Sequence, residues 1–172
     1  MQLPNSKPTT RRLVTLQGIP SGSQGVNATL RLMRQLTRQG KKHFPIRELA
    51  LSLVGNLNQK DWLGEITALH RYVRDNIRYV KDINGIETVA LPQITIEMGQ
   101  GDCDDKSVVL ATMLESIGHP TRFAAIGFKP GQYAHVLVET KIGEKWIPLE
   151  TTEPVSVGWY PKGVISRMVV HN

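Results

Sequence analysis

The stretch Gly99-Gln100-Gly101-Asp102-Cys103-Asp104-Asp105-Lys106 decides the fold. It joins a glycine-hinged turn to a strongly apolar segment, Ser107 to Ile117. Gly118 and Pro120 follow. That is a helix stop: glycine takes the left-handed position after the last turn, and proline cannot continue the helix. Asp102, or Cys103 itself, is then the N-cap, with Asp104 and Asp105 in the first turn, where acids complement the positive helix end. Val108, Val109, Leu110, Ala111, Met113, Leu114 and Ile117 surround the axis, so the helix is expected to be buried on several sides. Cys103, the only cysteine of the chain, stands at its N-terminus, where unpaired N–H groups favour a thiolate. The expectation is a thiol that reacts faster below neutral pH than an ordinary cysteine does.

The elements around this helix follow from period and punctuation. Leu13 to Leu16 reads as a short strand, and Ile19 to Gly25 as a loop. Asn27 is a candidate N-cap for a helix Ala28–Gln39 that Gly40 ends. Pro45 suits the first turn of a second helix, Ile46–Val54. Asp61 caps a third, Trp62–Ile77, whose Leu63, Ile66, Leu69, Val73 and Ile77 form an apolar stripe. Residues 83–99 read as irregular. After Pro120 the period changes to alternation, giving strands Arg122–Phe128, His135–Lys141 and Lys145–Leu149, with Val164–Val170 as a last strand. Helices followed by an antiparallel meander give an α+β fold. Residues 1–25 are expected to form an extended arm, and 26–172 one domain whose first part, 26–60, is helical.

Length and charge bound the possibilities. The chain has 172 residues, enough for one core. Its formal charge of +6 is uneven. Residues 1–60 hold ten Lys/Arg and one Asp/Glu, so +9; residues 61–172 hold eleven and fourteen, so −3. A solvated basic face is the plain reading, and docking to an anionic partner the sharper one. One cysteine excludes an internal disulfide framework. No apolar run is long enough to span a membrane. Met1 to Arg12 is polar and lacks the apolar centre of a secretory signal, so synthesis in a cytoplasm without export by that route is expected.

Three polar residues fall at the ends of elements: Cys103 begins the central helix, His135 begins one strand, and Glu150 ends the next. Adjacent antiparallel strands set the start of one beside the end of the other. His135 and Glu150 are then neighbours, with Cys103 facing them. Nucleophile, base and orienting carboxylate are the parts of a triad. The backbone N–H of Cys103 and the side chain of Gln100 are candidate oxyanion donors. A phosphate cradle at Gly99–Gly101 is disfavoured by Asp102, Asp104 and Asp105. Zinc would need a second cysteine or a close histidine pair, and calcium a different acidic spacing, so no metal is expected.

Gly101-Asp102-Cys103-Asp104-Asp105-Lys106, then Ala134-His135-Val136, then Trp146-Ile147-Pro148-Leu149-Glu150 resembles the transglutaminase-like cysteine peptidase superfamily, and more narrowly its bacterial and bacteriophage-encoded branch. Ile77-Arg78-Tyr79-Val80 and Glu87-Thr88 fit the same pattern, which covers about Asp61 to Pro154. The resemblance implies a papain-like core, a Cys-His-Asp triad, acyl transfer on amides, and neither metal nor cofactor. This chain departs at the third member, where Glu150 stands in place of Asp. The reading that follows is a cysteine peptidase or amidase using Cys103, His135 and Glu150 on a peptide or other amide. Two alternatives stay open. One is an assembly component, such as a subunit of a phage particle, that docks through the basic N-terminal third. The other is an amine acyltransferase using the same thioester.

Overall fold

In the computed structural model, residues 13–16, 22–81 and 87–171 are described. The expected arm therefore lies largely outside them. Element order is β1 (Leu13–Leu16), α1 (Ser23–Gly40), α2 (Phe44–Val54), α3 (Trp62–Asn76), β2 (Arg78–Tyr79), β3 (Glu87–Ala90), α4 (Pro92–Met98), β4 (Gln100–Gly101), α5 (Cys103–Ser116), β5 (Thr121–Gly127), β6 (His135–Ile142), β7 (Lys145–Leu149) and β8 (Ser166–His171).

Helix α5 is the hub. Every residue from Asp105 to Leu114 is buried, including Lys106, Ser107 and Thr112. Helices α1, α2, α3 and α4 all pack on it from one side, and β5 and β6 from the other. The sheet behind it is antiparallel, in the order β7-β6-β5-β8. Its alternation sorts the side chains. Phe123, Ala125, Val136, Val138 and Leu149 join the helical core, while Ala124, Ile126 and Leu137 form a smaller cluster on the opposite face under Tyr160, Val164 and Val169. This is the α+β, papain-like architecture expected from the sequence: a central helix carrying the cysteine, packed on an antiparallel sheet, with helices before it.

The differences from the sequence reading have local causes. Helix α1 begins at Ser23 rather than Ala28, because Gly22 enters it at φ 74, a conformation glycine tolerates and other residues avoid. Asn27 is therefore inside the helix and caps nothing. Its Nδ2 instead lies 3.9 Å from Met168 Sδ. Residues 83–99, read as irregular, contain β3 and α4. Pro92 starts α4 and Gly99, at φ 61, ends it, an N-terminal proline and C-terminal glycine pair. Strand β3 pairs antiparallel with β1. Four residues pairing with a segment some seventy positions away leave no local period to detect.

Strand β7 is the last strand on its side of the sheet, yet its outer backbone is engaged. Pro148 O accepts from Gly158 N at 2.9 Å, and Glu150 O accepts from the ring of His70 on α3. On the other side of the site, the hairpin from β5 to β6 is drawn tight at Gly127. A Cβ there would lie 1.6 Å from Gln132 O, a backbone atom that cannot swing away. Gly127→Ala is expected to cost about 1–3 kcal/mol of folding stability, as other forced overpacking does. Urea denaturation should show a lowered midpoint at unchanged m-value.

Candidate active site

The Cys motif is held by its own carboxylates. Asp102 is the N-cap of α5, and its Oδ1 accepts from Asp104 N at 2.9 Å and Asp105 N at 3.1 Å. Asp105 returns a bond to Asp102 N, closing a capping box. The other oxygen of Asp105 accepts from Ala90 N at 2.8 Å, which ties β3 to the helix start. Gly101 is obligatory here, because a Cβ would come within 2.6 Å of Asp105 Cβ. Just upstream, β4 forms a short parallel ladder with β2, pairing Arg78 with Gln100 and Tyr79 with Gly101. Gln100 Oε1 accepts from Arg78 Nη2 at 2.9 Å.

Cys103 is the first residue of α5 and is half-buried. Its sulfur approaches Asp104 Oδ1 at 3.5 Å and accepts from the backbone N–H of Val136, the residue after His135. His135 Nε2 lies 2.6 Å from Glu150 Oε2. The sheet register makes this pair. The β6–β7 ladder ends at Val138 opposite Leu149, which puts Glu150 diagonal to His135 on one face. A diagonal pair is further apart than a direct one, and the extra methylene of Glu spans that distance. Glu150 Oε1 accepts from both Thr152 N at 2.6 Å and Thr152 Oγ1 at 2.7 Å. All three residues named from the sequence are therefore gathered at one end of α5, with Gln100 on the adjoining ladder.

Electrostatics treat the two acids of this pattern differently. Burial disfavours the charge of Glu150, but the bonds from His135 and Thr152 outweigh it and hold its pKa below the ordinary value. Cys103 moves the other way. Burial, then the charges of Asp104 and Asp102, push its thiol well above the usual range. The expected thiolate is thus corrected. The helix N-terminus does favour an anion, but the acids that cap this one already occupy that field.

Two groups escaped the sequence reading. His70 of α3 is buried and donates from Nε2 to Glu150 O. Burial lowers its pKa, so it serves as a neutral donor. Lys106 is 2% exposed. Its Nζ donates to Arg74 O and Ile77 O at the C-terminal end of α3, where a cation suits the helix dipole. Burial lowers its pKa to about 8. Together they fasten α3 to both shoulders of the site. His70 sits on the α3 apolar stripe, a position that reads as core. Lys106, directly before the apolar run of α5, was the one available signal. Asp102, Cys103 and Asp104 present ligand atoms within 4.8 Å of one another, but the Asp102 carboxylate is already committed to the helix cap.

Two outcomes follow. Asp104→Asn removes a repelling charge from the sulfur and should raise the rate of iodoacetamide capture at neutral pH severalfold. The wild-type protein should react more slowly there than a free cysteine. The second concerns stability. Glu150 has its pKa depressed on folding from 4.5, so its contribution is present above that value and lost as pH falls through the folded value. Thermal melts of the wild type should therefore fall on acidification through and below pH 4.5, and Glu150→Gln should lack that component.

Comparison with known proteins agrees with this architecture. The family model of the transglutaminase-like superfamily matches residues 47–151, from α2 through Glu150. No curated protein matches the sequence. Among solved structures, a proposed cysteine protease from Cytophaga hutchinsonii superposes with a TM-score of 0.51 at 17% identity, over 74% of this chain and 46% of that one. A proposed protease from Parabacteroides distasonis gives 0.59 at 12% identity, over 86% and 32%. The chain spans less than half the length of either, and at these identities the likeness is one of fold. Nothing in these relatives supports a phage-particle role. No helix among the described residues is long and apolar enough to cross a membrane. With more than half of its length matched, including every residue of the Cys, His and Glu cluster, the chain belongs to the transglutaminase-like superfamily.

Proposed function

We propose that the protein is a cysteine-dependent amide hydrolase acting on peptides through an acyl-enzyme. The observation that supports it is the 2.6 Å bond between His135 Nε2 and Glu150 Oε2, one residue away from the N–H that meets the Cys103 sulfur. Two solved relatives described as proteases share the fold.

The steps follow from the atoms available. A carboxylate can only accept, so His135 carries its proton on Nε2 and leaves the Nδ1 lone pair to act as base. The resting thiol is neutral, so attack begins with transfer of its proton to Nδ1. Sulfur bonds to the amide carbonyl carbon, and the electron pair moves to oxygen. The backbone N–H of Cys103, unpaired at the helix start, is the proposed donor to that oxyanion, with the Gln100 amide beside it. The C–N bond then breaks as the imidazolium gives its proton to the leaving amine. Water, deprotonated by His135, attacks the thioester, releasing a carboxylic acid and restoring the thiol. Glu150 stabilises the imidazolium and fixes the ring tautomer.

The test is labelling with a panel of peptides carrying cysteine-directed electrophiles. Label should map to Cys103 and vanish in Cys103→Ala and His135→Ala. Glu150→Gln should lower turnover of the peptide so identified by roughly ten- to a thousandfold. That is less than the ~10⁴ seen for the analogous change in a serine triad. Glu150→Asp keeps the charge but loses reach, so it should be milder. Full activity of a folded Glu150→Gln protein would place the orienting group elsewhere.

A further inference from the structure

We propose that the outer face of α1 binds the phosphate backbone of nucleic acid without reading its sequence. The helix is sharply two-sided. Leu30, Met33, Leu36, Thr37 and Gly40 are buried, where α1 packs on α5 and β8. On the opposite side stand Arg31 and Arg38, both exposed, with half-buried Arg34 between them and exposed Lys42 one turn on. At the helical period the three arginines project from one side, in a row about 10 Å long, with Lys42 in the turn just beyond.

Three observations set this row apart from an ordinary solvated face. Helix α1 contains no carboxylate, and Glu48 is the only acid between residues 22 and 60. None of the four cations has a hydrogen bond or ion pair among the described residues, and Arg34 Nε is buried without a partner. Some basic residues elsewhere are tied down, Arg74 to Asp75 and Arg122 and Arg167 to Glu139, as is Lys41, next to the row, to Glu115, although others such as Lys129 and Lys145 have no ion pair among the described residues. A line of unpaired guanidinium groups matches a polymer with a regularly repeated oxyanion, and arginine engages phosphate through two N–H bonds at once. The segregation of charge along the chain, +9 against −3, gives the approach a direction.

The alternatives fit less well. A helix that lies on a membrane turns its apolar face into the lipid, but the apolar face of α1 is spent on the core. Seated on the body, α1 offers charge on one side only, so it contacts backbone and not base edges. The site is separate from the cysteine. Lys41 meets Glu115 at the C-terminal end of α5, and Cys103 is at the other end, about 20 Å away by helix rise.

The experiment uses the full chain and a fluorescent duplex DNA of arbitrary sequence, titrated by anisotropy over a salt series. Binding should be indifferent to sequence. Its logarithm should fall with log salt with a slope of roughly −3 to −4, near 0.9 per phosphate contacted. The double variant Arg31→Gln/Arg38→Gln, at two exposed positions, should reduce that slope by about two. The control Lys129→Gln/Lys145→Gln, which removes two exposed lysines elsewhere, should leave it unchanged. Circular dichroism and Cys103 labelling should be the same in all three proteins. Absence of binding at low salt, or an unchanged slope in a folded double variant, overturns the proposal. So does tight binding of polyglutamate that DNA fails to displace, since the face would then be made for an acidic protein. None of these readouts depends on peptide cleavage, so the inference stands or falls apart from the hydrolase reading.

Discussion

A helix buried along its whole flank can meet substrate or solvent only at its tips. That constraint shapes this molecule. From Asp105 to Leu114, α5 has no exposed side, so the orphan N–H groups of its first turn must be satisfied inside the protein or left for chemistry. Asp102 and Asp105 satisfy part of that set and also reach β3 through Ala90. The first turn is therefore rigid before any ligand arrives. Cys103 inherits its position from that rigidity. Its reactivity is then a balance between a backbone field that favours an anion and, opposing it, burial first and the neighbouring carboxylates second, which together raise the thiol's pKa.

That outcome bears on how the proposed chemistry would be timed. A preformed thiolate is reactive towards any electrophile that reaches it. A neutral thiol held beside Val136 N–H waits for its base. The proposed base, His135, is already fixed, because Glu150 is anchored through both oxygens, one on His135 and one on Thr152. Rigid orientation of the imidazole beside a protonated sulfur would keep the proposed acceptor in place for the proton transfer with which attack begins.

The parts of this structure legible in the sequence are those set by short-range rules. Gly118 and Pro120 stop α5, Asp61 caps α3 through Gly64 N, and strand alternation after Pro120 marks the sheet. Cys103, His135 and Glu150 could be brought together because each ends an element whose neighbours are consecutive in the chain. What escaped has partners far away in sequence. β1 finds β3, β2 finds β4, and His70 finds a carbonyl eighty positions later. Lys106 was visible as a residue but not as a role, because a lysine in an apolar helix reads as exposed until the carbonyls of α3 are seen to end above it. The thiol was misjudged for a related reason. Helix geometry follows from the local sequence, but burial, the larger influence on that sulfur, does not.

The filled outer edge of β7 has a consequence for association. An unpaired sheet edge is a template on which another chain can continue the ladder, whether a substrate, a second molecule or a growing aggregate. Here Pro148 brings no N–H to the edge, its carbonyl is taken by Gly158, and the carbonyl of Glu150 is taken by His70. A strand arriving from outside would find those carbonyls already bonded on that flank. The same contacts that steady the carboxylate beside His135 thus also occupy the outer flank of the sheet nearest to it, and leave an arriving strand fewer carbonyls to bond along β7.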